Sequence, residues 1–253
     1  MEELKAQQEI KTQQNTPTEI VLDGDKAKTF SGLLSAVSNL IREITFKVSP
    51  TGISFAAMDD ANVCAIAGDL MVGLNIPSEE RHRINLSDLI PVLKRCTGGV
   101  TLEFTDANVN VRCGQKLFVI PKLEEDKEQK IPQLAFKREV TLKTKDLGDA
   151  IDDAAYLKQD GMQFKSTGAT LILHMANGPK IMTQSVTGQL HKQEVEDTIV
   201  SKFSYDYLTK IMVARKLSDS VVVKVGNDFP LGLDFKDTDV RLSYVIAPRV
   251  QND

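Results

Sequence analysis

The chain has 253 residues, which at about 150 residues per domain sets a soft prior of one to two domains. Its 42% hydrophobic and 26% charged content is that of a globular protein with a real core. Lys and Arg number 31 against 35 Asp and Glu, a net charge of -4, which argues against a protein held on nucleic acid by bulk positive charge but leaves charge segregated inside the fold open.

Residues 1–18 are rich in Gln, lack aromatics and end near Pro17, which reads as a solvated tail or a frayed helix. The start, Met1-Glu-Glu-Leu-Lys5, has no positive region followed by an apolar stretch, so no secretory signal is expected. Phe30, Leu33, Leu34, Val37, Leu40, Ile41 and Ile44 then recur at helical spacing, and a first helix is predicted over 27–42. Strands are predicted at Thr45–Val48, Ile53–Met58 and Val63–Leu70, the first two joined by the turn Ser49-Pro-Thr-Gly52. A second helix fits Leu86–Cys96, capped by Asn85 or Ser87 and stopped by Gly98-Gly99. Strands follow at Val100–Phe104, Val109–Cys113 and Leu117–Pro121.

The segment 122–136 changes character. It is charged, aperiodic and bears Pro132, which marks it as a linker. Beyond it the programme restarts: a helix over Asp146–Lys158, strands at Met162–Phe164, Ala169–Met175, Lys180–Gln184 and Thr198–Phe203, a helix over Tyr205–Leu217, and strands at Val221–Val225, Leu231–Phe235 and Val240–Ile246. Gly52-Ile-Ser-Phe55 resembles Gly161-Met-Gln-Phe164, and the helix at Leu86 with the strand at Val100 resembles the helix at Tyr205 with the strand at Val221. These imply two similar halves, 19–121 and 137–253. The order favours an α+β fold of antiparallel sheets with helices on one face.

Reactive constellations are missing. Cys64, Cys96 and Cys113 contain no CxxC pair, so neither a zinc ribbon nor a disulfide framework is expected, and a reducing, intracellular compartment follows. No apolar run approaches the roughly 18 residues of a membrane span. His82, His174 and His191 lack partners at metal or nucleophile spacing, and no phosphate-loop, dinucleotide, serine-hydrolase or zinc-protease motif is present. Asp23-Gly-Asp25 reads as a turn before the first helix, not as a calcium loop. No metal site, cofactor or catalytic residue is expected, and the chain is read as a non-enzyme.

The predicted helices carry Lys28, Arg42, Lys94, Arg95, Lys145, Lys158, Lys210, Arg215 and Lys216 against Asp88, Asp146, Asp149, Asp152, Asp153 and Asp206. They are mildly positive in a negative chain. The bland explanation is basic residues near helix C-termini, complementing the macrodipole.

The stretches Leu40-Ile-Arg-Glu43, Ser49-Pro-Thr-Gly-Ile-Ser-Phe-Ala-Ala-Met-Asp59, Asn85-Leu-Ser-Asp-Leu89, Leu93-Lys-Arg-Cys96, Gly226-Asn-Asp-Phe-Pro-Leu231 and Arg241-Leu-Ser-Tyr-Val-Ile-Ala-Pro-Arg-Val250 occur in order across both halves. Together they resemble the DNA sliding clamps of the proliferating cell nuclear antigen family, of the archaeal and eukaryotic type, over 19–250. The resemblance implies a homotrimeric ring with helices lining the hole and sheets outside. Double-stranded DNA would pass through it, an ATP-driven clamp loader would open it, and DNA polymerases and repair proteins would dock by short peptides. It places a partner-peptide pocket at Met58, Asn62, Val63, Ile131, Pro132, Phe136, Phe229, Pro230, Ala247 and Pro248. It implies subunit contacts through edge strands at Val109, Val111 and Cys113 and at Lys180, Met182 and Gln184. DNA would face Lys94, Arg95, Lys210, Arg215 and Lys216. The acidic third helix and the Ser- and Asn-rich first helix depart from the family. They keep open a subunit of a mixed ring in damage signalling, or an interaction module that encircles no DNA. Localisation would be the cytoplasm or nucleoid of an archaeon, or a eukaryotic nucleus.

Overall fold

The computed structural model describes residues 17–249, apart from 75, 77, 126–128, 130 and 196. The tail expected over 1–18 therefore lies almost wholly outside the described residues. Thr18 does not belong to it, because Thr18 opens β1 (Thr18–Leu22), a strand too short for its alternation to stand out in sequence. Asp23 then caps α1 (Gly24–Val37), accepting from the Lys26 N–H at 2.8 Å.

The first helix was expected to reach residue 42, and it stops at Val37. The Ser38 N–H closes on the Leu34 carbonyl, and the N–H groups of Leu40 and Ile41 both fold back on Val37. Ile41 is buried in the loop, and Ile44 lies in β2 (Glu43–Ser49). Their spacing continues the helical period only because a loop residue and an inward strand residue reach the same core.

The chain continues through β3 (Gly52–Met58), β4 (Cys64–Met71), β5 (Glu80–Asn85), α2 (Leu86–Arg95), β6 (Val100–Phe104), β7 (Asn108–Cys113) and β8 (Lys116–Pro121). Asn85 is the cap of α2, accepting from the Ser87 N–H at 2.9 Å. The helix ends before Gly98-Gly99, because Cys96 already has extended backbone. The second half runs β9 (Arg138–Lys143), α3 (Thr144–Asp153), β10 (Gly161–Thr167), β11 (Thr170–Asn177), β12 (Lys180–Thr187), β13 (Gln189–Gln193), β14 (Ile199–Ser204), α4 (Tyr205–Ile211), β15 (Ser220–Val225), β16 (Leu231–Lys236) and β17 (Val240–Ile246). The two long helices expected here each tighten into a 3-10 turn, at Ala154–Leu157 and Met212–Lys216. β5 and β13 escaped sequence reading because Glu-Arg-His-Arg-Ile-Asn and Gln-Leu-His-Lys-Gln hold one apolar residue each, too few to alternate.

Three antiparallel sheets result, in the orders β1-β6-β7-β8, β12-β11-β10-β14 and β13-β9-β15-β16-β17-β4-β3-β2-β5. The last contains its own symmetry. Its β9-β15-β16-β17 part repeats β1-β6-β7-β8, and its β5-β2-β3-β4 part repeats β14-β10-β11-β12. The two halves join where β17 pairs with β4 over seven residues, from Val240 opposite Leu70 to Ile246 opposite Cys64. This topology corrects the Gly52–Gly161 equivalence. Gly52 opens β3, whose counterpart is β11, so the matching turn holds Gly168. Both Gly52 and Gly168 have positive φ, as a tight turn between these strands requires. The α2–β6 and α4–β15 correspondence is the one the topology reproduces.

Helices pack on the inner faces of the sheets, α1 against β4 and β17 and α3 against β9, β12 and β15. Phe30 of α1 lies 5.7 Å from the Phe46 ring, and buried Tyr244 of β17 donates to the Ala36 carbonyl at 3.2 Å. Each such aromatic contributes about 1.5–3 kcal/mol on burial, so the seam between halves is part of the core.

Cys96 and Cys113 form a disulfide with Cα atoms 5.7 Å apart, which corrects the expectation of free thiols. The end of α2 lies against the β7–β8 hairpin, so residues without a spacing signature meet in space. Cys64 stays free and buried, its thiol pushed up to about 12 by burial and then by the Asp59 carboxylate. Among the described residues no helix is long and apolar enough to cross a membrane.

Candidate functional site

The linker is anchored at both ends on the nine-stranded sheet. At its start, the Leu123 N–H donates to the Arg83 carbonyl of β5 at 2.9 Å. At its end, Phe136 is buried against Phe229, the rings edge to face at 5.6 Å. A Cβ on Gly232 of β16 would stand 3.0 Å from the Phe136 ring. β5 and β16 are five strand spacings apart, about 24 Å. Gln129, between the anchors, lines a 660 Å³ groove together with Met58 and Asn62.

Directly paired residues on adjacent strands share a face. Met58 stands opposite Ala65, Ala65 opposite Val245, and Val245 opposite Gly232. They form one small, apolar row across the outer face, running from the β3–β4 loop to Phe136. Ala65, Val245 and Gly232 were missed in sequence because only strand register reveals the row. Val63 is half-buried, and its carbonyl accepts from Ala247 at 2.9 Å, which brings the C-terminal segment to this loop. Of the other expected pocket residues, Ile131, Phe229, Pro230 and Pro248 are half-buried and Pro132 is exposed.

Asp59 builds the β3–β4 loop. Its carboxylate accepts from the N–H groups of Val63 at 2.8 Å, Cys64 at 2.6 Å and Ala61 at 3.3 Å, and from the Tyr207 hydroxyl of α4. Burial opposes its charge, but these hydrogen bonds outweigh burial and hold its pKa below the usual carboxylate value. Asn62 sits at the loop tip with φ of 54°.

The linker start rests on His82, which is buried and stacked on Phe104 at 4.3 Å. Lys122 Nζ can only donate, so Nδ1 accepts from it at 3.2 Å and Nε2–H donates to Glu80 at 3.1 Å. Burial, then the Lys122 charge, push the pKa of His82 below its ordinary value, against the pull of Glu80. The fold therefore favours neutral His82, while the unfolded chain takes up its proton near pH 6.5. Stability from this cluster is full above that pH and declines as pH falls below it. Thermal unfolding between pH 7.5 and 5 is expected to show this loss, and His82→Gln to flatten it. The Asp59 contribution is lost only lower, as pH falls below the ordinary Asp value of about 3.9. An equal slope in both proteins would refute the assignment.

The edge-strand expectation needs correction. β7 lies inside its sheet, paired with β6 and β8, and Val109 and Val111 are fully buried while Cys113 is in the disulfide. The edge is β8, which exposes Leu117 (51%) and Val119 (56%). β12 is an edge as expected, but Met182 points into the core and Gln184 is half-buried. Its exposed residues include Lys180 and Ile181, with Tyr156 donating to the Ile181 carbonyl at 3.2 Å.

On the helices, Lys94, Arg95 and Lys216 are exposed and make no ion pair among the described residues. Lys28 joins Lys94 in a cleft between the start of α1 and the end of α2. Lys210 and Arg215 are paired within the chain, to Asp206 at 2.7 Å and Asp152 at 2.6 Å. Among the described residues no group of three or more His, Cys, Asp or Glu side chains could hold a metal ion.

The family model described as "Proliferating cell nuclear antigen, C-terminal domain" matches residues 119–250. A DNA polymerase sliding clamp of Thermococcus fumicolans is 30% identical over 257 residues, covering 93% of this chain and 100% of that protein. The chain belongs to the proliferating cell nuclear antigen family. The fold agrees. The Entamoeba histolytica antigen superposes with a TM-score of 0.82 at 18% identity, over 92% of this chain and 98% of that one. An A. fulgidus member, solved with the C-terminal region of FEN-1 bound, gives 0.81 at 20% identity, over 93% of this chain and 100% of that one. The apolar row and the free edges at β8 and β12 thus sit on the fold of that family.

Proposed function

We propose that this chain is a non-catalytic sliding clamp: three copies close into a ring around double-stranded DNA and tether DNA polymerases and repair proteins. The observation that carries this reading is internal symmetry. Within one chain, β17 is zipped to β4. Their counterparts by topology are β8 and β12, and both are edges with exposed apolar side chains. A second copy that repeats the internal junction joins β8 of one protomer to β12 of the next, and repetition of that step closes a ring.

The helix layer then faces the hole. Its free cations, Lys94, Arg95, Lys216 and the added Lys28, give weak, salt-sensitive phosphate contacts suited to sliding. Lys210 and Arg215 would contribute only by exchanging their carboxylates for phosphate. On the outer face, the row from Met58 to Gly232 beneath the linker takes a short partner peptide with apolar and aromatic anchors. The relatives' name, DNA polymerase sliding clamp, and the FEN-1 complex of the A. fulgidus member support this reading.

An ATP-driven clamp loader would place the ring on nicked circular duplex. Clamp–DNA complexes isolated by gel filtration are expected to persist on the circle and to be lost within minutes of linearisation. Equal loss from both forms would sink the encircling reading. The self-pairing edges favour identical subunits. If the purified chain stays monomeric and assembles only with a second, different clamp subunit, the mixed-ring alternative takes its place.

A further inference from the structure

We propose that Tyr207 is a positioning residue for the partner site: from α4, in the second half of the chain, its hydroxyl holds the Asp59 carboxylate and thereby fixes the β3–β4 loop beside Met58 and Val63. The inference rests on the partner-site reading above and deepens it.

Asp59 is buried and belongs to the first half, 148 residues from Tyr207 in sequence. Three of its four hydrogen-bond donors come from the first half: the loop N–H groups of Ala61 and Val63, and the N–H of Cys64, the first residue of β4. The first two move with the loop, and Cys64 ties the carboxylate only to the strand that the loop enters. Tyr207 is the donor from outside. Among the described residues the loop also meets the second half where Ala247 donates to the Val63 carbonyl. That bond extends the β17–β4 ladder and fixes the strand, while Tyr207 fixes the carboxylate on which the loop turns. Asn62, in a left-handed conformation at the tip, depends on that turn to stay at the groove's rim.

Tyr207 also belongs to the helix layer. Lys210 Nζ lies 5.8 Å from its ring centre and pairs with Asp206. One side chain thus links the helix layer to the carboxylate on which the β3–β4 loop turns. A Phe at 207 keeps the ring and its packing and removes only the donor. The loop N–H groups remain bound to Asp59, so the fold survives, but the carboxylate loses its external anchor.

The test measures binding of a fluorescent C-terminal peptide of a DNA polymerase to the full chain, with hydrogen exchange read in parallel. Tyr207→Phe is expected to weaken binding about 5- to 30-fold, the factor that corresponds to a loss of about 1–2 kcal/mol. Exchange is expected to rise at 61–64 and to stay unchanged in β10, β11 and β15. In an Asp59→Ala background, which leaves Tyr207 no acceptor at 59, adding Tyr207→Phe is expected to cost no more than about twofold further, because the two act as one unit. Binding as tight as wild type, or a rise in exchange throughout the chain, would overturn the positioning role. A wild-type chain that binds no peptide would defeat the partner reading instead. Exchange at 61–64 then decides the positioning claim by itself, and an unchanged rate there overturns it.

Discussion

Val119→Pro is expected to break the ring into monomers while leaving each monomer folded. Cys113 and Lys116 flank a two-residue turn, so they bond to each other across the β7–β8 hairpin. Bonded and non-bonded pairs alternate in an antiparallel ladder. Val119, three residues beyond Lys116 and opposite Asn110, therefore points its N–H away from β7, toward the free edge. Proline there removes no bond inside the chain. It removes a donor that the β12 edge of the next protomer needs, and its ring obstructs the approaching strand. Backbone pairing is worth about 1 kcal/mol net per bond, and an unpaired buried carbonyl on the partner costs about 1–3 kcal/mol more. The loss acts at every interface of the ring. Light scattering at low micromolar concentration should fall from about three times 27.9 kDa to 27.9 kDa. Val119→Ala keeps the N–H and should stay trimeric. Ile181→Asp, on the complementary edge, should also give monomers. If Val119→Pro remains a trimer with an unchanged dissociation midpoint, β8 is not the contact.

This edge shows where sequence reading succeeds and where it stops. Alternating apolar residues found most strands, and β17 was placed at Val240–Ile246 without error. Hydrophobic periodicity is local, and a strand's neighbours are not. β7 and β8 both alternate, so nothing in either says which is inside the sheet. The family resemblance supplied the idea of edge pairing, and topology moved it from Val109–Cys113 to Lys116–Pro121. Elements stabilised by polar contacts were silent for the same reason. β5 is built around buried His82, and Arg138 opens β9 wholly buried, donating to the carbonyls of Ser166, Val195 and Asp197. An arginine in sequence signals surface, and here it pins three segments together. The Cys96–Cys113 bond and the Tyr207–Asp59 contact likewise join residues far apart, with no spacing to announce them.

Of the two regions proposed to bind, the partner pocket draws on residues that cluster at the ends of strands, at Met58, Phe229-Pro230 and Ala247-Pro248. A sharp consequence follows from its floor. Met58 is half-buried at one end of the row Met58, Ala65, Val245, Gly232, and every side chain of that row is apolar or absent. A peptide anchor laid on this row would cover Met58 and exclude water from it. Met58→Asp then places a carboxylate under an apolar ligand. The free protein tolerates it, because the groove is open and the charge stays hydrated. The complex does not, because binding must strip that water and offers no donor in exchange. Anchors of this kind carry about 2 kcal/mol or more each, so a roughly hundredfold loss of peptide affinity is expected. Asn62→Gly, at the rim, keeps the left-handed turn and should change affinity by no more than about twofold. Ring assembly should be unaffected, since Met58 lies in the nine-stranded sheet and β8 and β12 edge the two other sheets. Isothermal titration with a polymerase C-terminal peptide measures all three. Equal affinity for wild type and Met58→Asp would show that partners bind elsewhere. A loss accompanied by monomerisation would show instead that the substitution damaged the fold. Only selective loss, with the trimer intact, identifies the row beneath the linker as the place where partners dock.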